Sequence, residues 1–135
     1  MRAIMADNDI RGQFTILMVH LRSDEWREIW NSLNLSVLSF ADLGLDDDVS
    51  DSVLWRSCQA QQIILLTGNR NEDGPDSLEA TIRQFNTPIS LPVFTLALPR
   101  KVVSSQAYAA KIAESLLQYL LDIDRIRGTG RLWLP

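Results

Sequence analysis

Ile63-Ile64-Leu65-Leu66-Thr67-Gly68-Asn69-Arg70 is the stretch on which the fold turns. Its four leading residues are apolar without alternation, which suits a strand buried on both faces, and the change to Thr-Gly-Asn marks the strand's carboxyl end. Such a strand belongs in the middle of a parallel sheet. Toward the N-terminus, Arg2-Ala-Ile-Met-Ala6 is a second short apolar run, halted by Asp7-Asn8-Asp9, and Leu35 to Phe40 reads as a further strand. Toward the C-terminus, Val93 to Leu98 is a fourth, and Arg131 to Leu134 adds a last extended segment carrying Trp133 after the turn Gly128-Thr-Gly130.

Helical patterns fill the intervals. Ile10, Phe14, Leu17, Met18 and Leu21 recur at helical spacing, as do Trp26, Ile29, Trp30 and Leu33 behind a cap at Ser23, so two short helices should follow the first strand. Ser50 is placed to cap a helix from Asp51 to about Gln61, with Val53, Leu54 and Cys58 turned inward. Asp76 with Glu79 three residues on has the pattern of a capping box and starts another helix, which Pro88 and Pro92 lie beyond. The strongest periodicity runs from about Ser104 to Asp124, through Ala109, Ile112, Ala113, Leu116, Leu117 and Leu120. Strands alternating with helices need crossover connections, so the expected fold is a three-layer α/β domain: a parallel sheet of four to five strands with helices on both faces.

With 135 residues and 46% hydrophobic content, a single domain spanning 1–135 is expected. No run of 18 apolar residues occurs, and Asp7 and Asp9 interrupt any signal-peptide core, so a cytoplasmic protein without membrane association is the expectation. A net charge of -4 gives no broad attraction to phosphate backbones or anionic membranes; RNA would have to bind at a local site. Cys58 is the one cysteine and His20 the one histidine, which removes internal disulfides and Cys/His metal motifs from consideration. No phosphate-binding glycine loop and no nucleophile elbow is present.

In parallel sheets, sites lie beyond the carboxyl ends of the strands. That rule gathers Asp7 and Asp9, Asp51 at a helix start, and Asn69, Asn71, Glu72 and Asp73 into one oxygen-rich group. Two carboxylates about 5 Å apart repel by roughly 3 kcal/mol at an effective dielectric of about 20, so a true cluster binds a cation or keeps a proton. Mg2+ or Mn2+ suits such oxygens, and a bound ion could orient a phosphodiester and activate water. Asp and Asn are equally the standard residues of strand-to-helix turns, where their side chains cap backbone N–H groups.

Residues 2 to 73 resemble the PIN-like domains of the DUF5615 or Mut7-C type, small α/β domains related to metal-dependent ribonucleases. Met5-Ala-Asp7-Asn-Asp9-Ile10 looks like the family's first element, Val49-Ser50-Asp51 like its second, and Leu66-Thr67-Gly-Asn69-Arg-Asn71 like its third; Ala41-Asp-Leu-Gly-Leu45 is similar to the loop before the second. The resemblance implies a divalent-metal-dependent ribonuclease with Asp7, Asp51 and Asn69 as the catalytic set. It implies Asp7, Asp9, Asp51 and Asp73 as metal ligands, and Thr67, Arg70 and Asn71 as substrate contacts. The sequence departs from the pattern in its third element, where two acidic positions are the amides Asn69 and Asn71. An amide ligates through oxygen but brings no negative charge and is no useful base.

Two functions follow as expectations. One is a Mg2+- or Mn2+-dependent ribonuclease, active or degenerate. The other is a non-catalytic module that binds a protein partner or forms a homo-oligomer such as a homodimer, suggested by four tryptophans and the Leu132-Trp133-Leu134 tail.

Overall fold

A computed structural model describes residues 1–70 and 74–135. Five strands form one sheet in the order β2-β1-β3-β4-β5, with every neighbouring pair parallel. They are β1 (Ala3–Ala6), β2 (Ser36–Val37), β3 (Ile63–Thr67), β4 (Val93–Leu96) and β5 (Arg131–Leu134). The helices are α1 (Arg11–Leu21), α2 (Arg27–Ser32), α3 (Asp51–Ala60), α4 (Leu78–Phe85), α5 (Pro99–Ser104), α6 (Gln106–Leu121) and α7 (Ile123–Ile126).

The uniform apolarity of the central strands has a direct cause. Successive side chains alternate between two cores, because helices cover both faces of the sheet. Ile4, Ile64, Leu66, Phe94 and Leu96 pack against α1 and α6 residues such as Leu17, Leu21, Ile112 and Leu116. Ala3, Met5, Ile63, Leu65 and Val93 pack against α3 and α4 through Leu54, Trp55, Cys58, Leu78 and Ile82. Truncating a fully buried residue such as Leu116 to alanine should cost about 2–5 kcal/mol.

Several boundaries differ from expectation, each for a local reason. The second strand is only Ser36–Val37, because the Asp42 carboxylate accepts from the Ser39 N–H at 2.8 Å and its hydroxyl at 3.0 Å and draws the chain into a 3-10 turn at Ala41–Leu43. The fourth strand stops at Leu96, since Pro99 opens α5 at its first turn. The long C-terminal helix is α6, which starts behind the extended Ser105, whose side chain caps it by accepting from the Tyr108 N–H at 3.2 Å, and it ends at Leu121, before the separate α7. Ser77, not Asp76, caps α4, taking the Ala80 N–H at 3.1 Å. Ser23 closes a turn through its carbonyl, which accepts from Trp26 and Arg27, and α2 begins only at Arg27.

No helix among the described residues is long and apolar enough to cross a membrane.

Candidate functional site

The chain leaves β1 toward β2 on one side and later returns across β1 to place β3 on the other. The crevice outside the carboxyl ends of β1 and β3 is therefore the point at which the strand order reverses, where open α/β sheets bind ligands. Asp7 follows β1 and Thr67 ends β3, one rung past the Ala6–Leu66 pair.

From these ends grows a continuous chain of hydrogen bonds. Asp7 Oδ1 accepts from the Asn8 N–H at 2.7 Å and so caps the turn Asn8–Ile10, while Oδ2 accepts from the Thr67 hydroxyl at 2.9 Å. That hydroxyl is fully buried and in turn accepts from the Asn69 N–H at 3.0 Å. The Asn69 side-chain Nδ2 donates to Asp51 Oδ2 at 2.9 Å, and the same oxygen accepts from the Leu78 N–H at 3.2 Å. A carboxylate can only accept, so the amide must present its nitrogen to Asp51. Asp9 closes on the Gly68 N–H at 3.2 and 3.3 Å. A side chain at Gly68 would place its Cβ 3.0 Å from Asp9 Oδ2 and from Ile10 Cγ2, which is why glycine stands there.

The fold thus brings together Asp7, Asp9, Asp51, Thr67 and Asn69, five of the positions singled out in the sequence. Asn71 and Asp73, with Glu72, lie outside the described residues. Arg70 sits with its guanidinium 5.6 Å from the Trp133 ring. His20 is half-buried on α1, and Cys58 is buried on α3 with its Sγ 3.6 Å from Met5 Sδ.

Burial dominates the electrostatics. It raises the pKa of Asp7 from its ordinary value, against the lowering by its Thr67 and Asn8 hydrogen bonds, and Asp51 adds a smaller upward push. Asp9 is raised likewise, first by burial and then by the Asp7 charge. Burial with the nearby Asp7 charge drives the Cys58 thiol up to about 12, so it is no nucleophile at neutral pH.

Arg131, Glu79 and Thr95 border the same turn and had no part in the sequence-based site. Arg131 Nη1 donates to the Asn69 carbonyl at 2.9 Å and to Thr95 Oγ1 at 2.6 Å, and Nε donates to Glu79 Oε2 at 3.2 Å. The only hint in the sequence was the arginine at the head of an apolar segment, and nothing local paired it with Glu79.

Among the described residues, no group of three or more His, Cys, Asp or Glu is placed to hold a metal ion. As arranged, Asp7, Asp9 and Asp51 each turn oxygens toward N–H or O–H donors of the chain itself, which leaves fewer of their lone pairs for an oxygen-coordinated divalent ion. Comparison with protein-family models, curated proteins and solved structures finds no match to this chain.

Proposed function

We propose that this chain is a non-catalytic interaction module of PIN-like type, in which the strand-end acidic residues tie elements together where an active relative would hold a metal ion. The observation that carries the reading is the 2.9 Å hydrogen bond from Asn69 Nδ2 to Asp51. A second carboxylate at that position would repel Asp51 by roughly 3 kcal/mol at about 5 Å, and a cation would be needed to hold the pair. An amide instead donates, and a hydrogen bond to a charged group stabilises by about 1.5–3 kcal/mol. The substitution supports a network closed by protein donors alone. On this reading the chain works by binding a protein partner or a second copy of itself.

A second reading keeps a Mg2+- or Mn2+-dependent ribonuclease, with Asp7, Asp9 and Asp51 toward the ion and Thr67 and Arg70 toward RNA. It is favoured by the raised pKa values of Asp7 and Asp9, since neighbouring carboxylates that repel one another gain from a nearby cation. Incubation of single-stranded RNA with the protein in Mn2+ or Mg2+ separates the two. The first reading expects no cleavage beyond that of an Asp7→Asn, Asp51→Asn double variant; cleavage that the double variant abolishes establishes the second.

The tail bears on the partner. Leu134 is fully buried and Leu132 packs on the core beside it, so of this last strand's apolar side chains Trp133, 45% exposed, is the one available to a partner. Light scattering of wild type and Trp133→Ala tests self-association: a homodimer built on this residue dissociates in the variant, and an unchanged mass removes Trp133 from the interface.

A further inference from the structure

The C-terminal strand carries one side chain that reaches across the sheet to the strand-end site. Arg131, the first residue of β5, is an arginine whose side chain is only 9% exposed. Its guanidinium touches three other elements: the Asn69 carbonyl just past β3, the Thr95 hydroxyl on β4, and Glu79 on α4. Nη2 also lies 3.1 Å from Glu79 Oε2, an ion-pair contact without hydrogen-bond geometry. A buried guanidinium without a carboxylate is costly, so Glu79 fixes the arginine and the arginine fixes what it touches.

What it touches is the turn that joins Asp7 to Asp51. Asn69 is held by its N–H through Thr67, by its side chain through Asp51 and by its carbonyl through Arg131. The first two bonds belong to β1, β3 and α3, the central part of the fold. The third comes from the sheet's edge, where β5 pairs with β4 alone over four residues. Edge elements with one neighbour open at lower free energy than central ones.

We infer that β5 is a strap that sets the conformation of the Asn69 turn through Arg131, so that docking of the C-terminal strand and the geometry of the strand-end site form one coupled equilibrium. When β5 is docked, the carbonyl of Asn69 is clamped; when β5 lifts, the turn keeps Thr67 and Asp51 but loses the bond from Arg131. Coupling of this kind is reciprocal, so loosening the turn loosens β5 by the same factor. A partner that grips Trp133, two residues along the same strand, would thereby act on the site. The coupling through Arg131 is the same whether the site binds a metal or merely ties the fold.

Amide hydrogen exchange on the full chain tests it. Arg131→Lys keeps a positive charge opposite Glu79 but has no planar fork to reach Glu79, Thr95 and Asn69 together. In that variant, exchange at Gly68, Asn69 and Arg70 should quicken roughly fivefold or more, the lower end of usual coupling strengths, while Ile4 and Met5 in β1 keep their protection. Asp51→Ala, which removes the Asn69–Asp51 bond at the other end, should quicken exchange at Leu132 and Leu134. Unchanged exchange at Gly68–Arg70 in Arg131→Lys overturns the inference, and so does a rise of equal size at Ile4 and Met5, which would mark a general loss of stability. If Arg131→Lys does not fold, Glu79→Gln leaves the arginine in place with a weakened anchor and is held to the same two criteria.

Discussion

The side-chain nitrogen of Asn69 lies 2.9 Å from Asp51 Oδ2, joining the turn after β3 to the first residue of α3. The same oxygen accepts from the Leu78 N–H at the head of α4, so one carboxylate fastens a turn and two helix starts. A group used in this way is structural whatever else it does, because its removal leaves polar partners without an acceptor.

Asp51→Ala should therefore destabilise the fold by about 1–3 kcal/mol, seen as a lower midpoint in urea with an unchanged slope. A midpoint equal to or above wild type would mean that relief of repulsion with Asp7 outweighs the lost bonds, and the structural role would be wrong.

Asp7 makes stability depend on pH in an identifiable direction. Its folded pKa is raised above the ordinary 3.8, so the folded chain binds this proton more tightly than the unfolded chain. The stability gained from that proton is fully present below the unfolded value and lost as pH rises through the raised folded value. Asp7→Asn removes the titration, so its melting temperature relative to wild type should be higher at pH 7 than near pH 3.5. A difference that grows on acidification contradicts the burial of the charged form.

Cys58, with a thiol pKa of about 12 and 1% exposure, should resist iodoacetamide at pH 8 in the native protein and react at once in urea. Rapid labelling without denaturant would mean that α3 opens far more readily than its contacts imply.

Gly128 and Gly130 hold φ values of +86° and +81° in the turn before β5. A Cβ at Gly128 would stand 2.9 Å from the Pro88 carbonyl oxygen, a backbone atom, and at Gly130 it would stand 3.1 Å from Ile82 Cγ2. Alanine at Gly128 should cost roughly 2 kcal/mol or more, through positive φ and the clash together. A thermal melt within about 1 °C of wild type would show that the turn has another conformation open to it.

Most of the architecture was legible because strand burial leaves a plain mark: the uniformly apolar Ile63–Leu66 reads as an interior strand, and the turn glycines and apolar helix faces placed the rest around it. Boundaries were less legible where a single side chain redirected the chain, as Asp42 does after β2 and Ser105 does between α5 and α6. The convergence of Asp7, Asp51 and Asn69 was readable from strand ends, since topology alone brings them to one edge. Their mutual bonding was not, because whether an amide faces a carboxylate or a cation depends on distances that spacing does not carry. Arg131 escaped for a related reason: its partners Asn69, Glu79 and Thr95 are 62, 52 and 36 residues away.

On the proposed function, hydrogen bonds from the protein, with no cation, satisfy the strand-end carboxylates. Thermal melts of wild type and Asn69→Asp across a Mn2+ titration to millimolar levels test it most directly, since an ion that binds only the folded chain raises the melting temperature with concentration. Wild type is expected to melt at one temperature throughout, while Asn69→Asp melts lower without metal and regains stability as Mn2+ is added. A wild-type melting temperature that climbs with Mn2+ and no longer does so in Asp7→Asn would contradict the account.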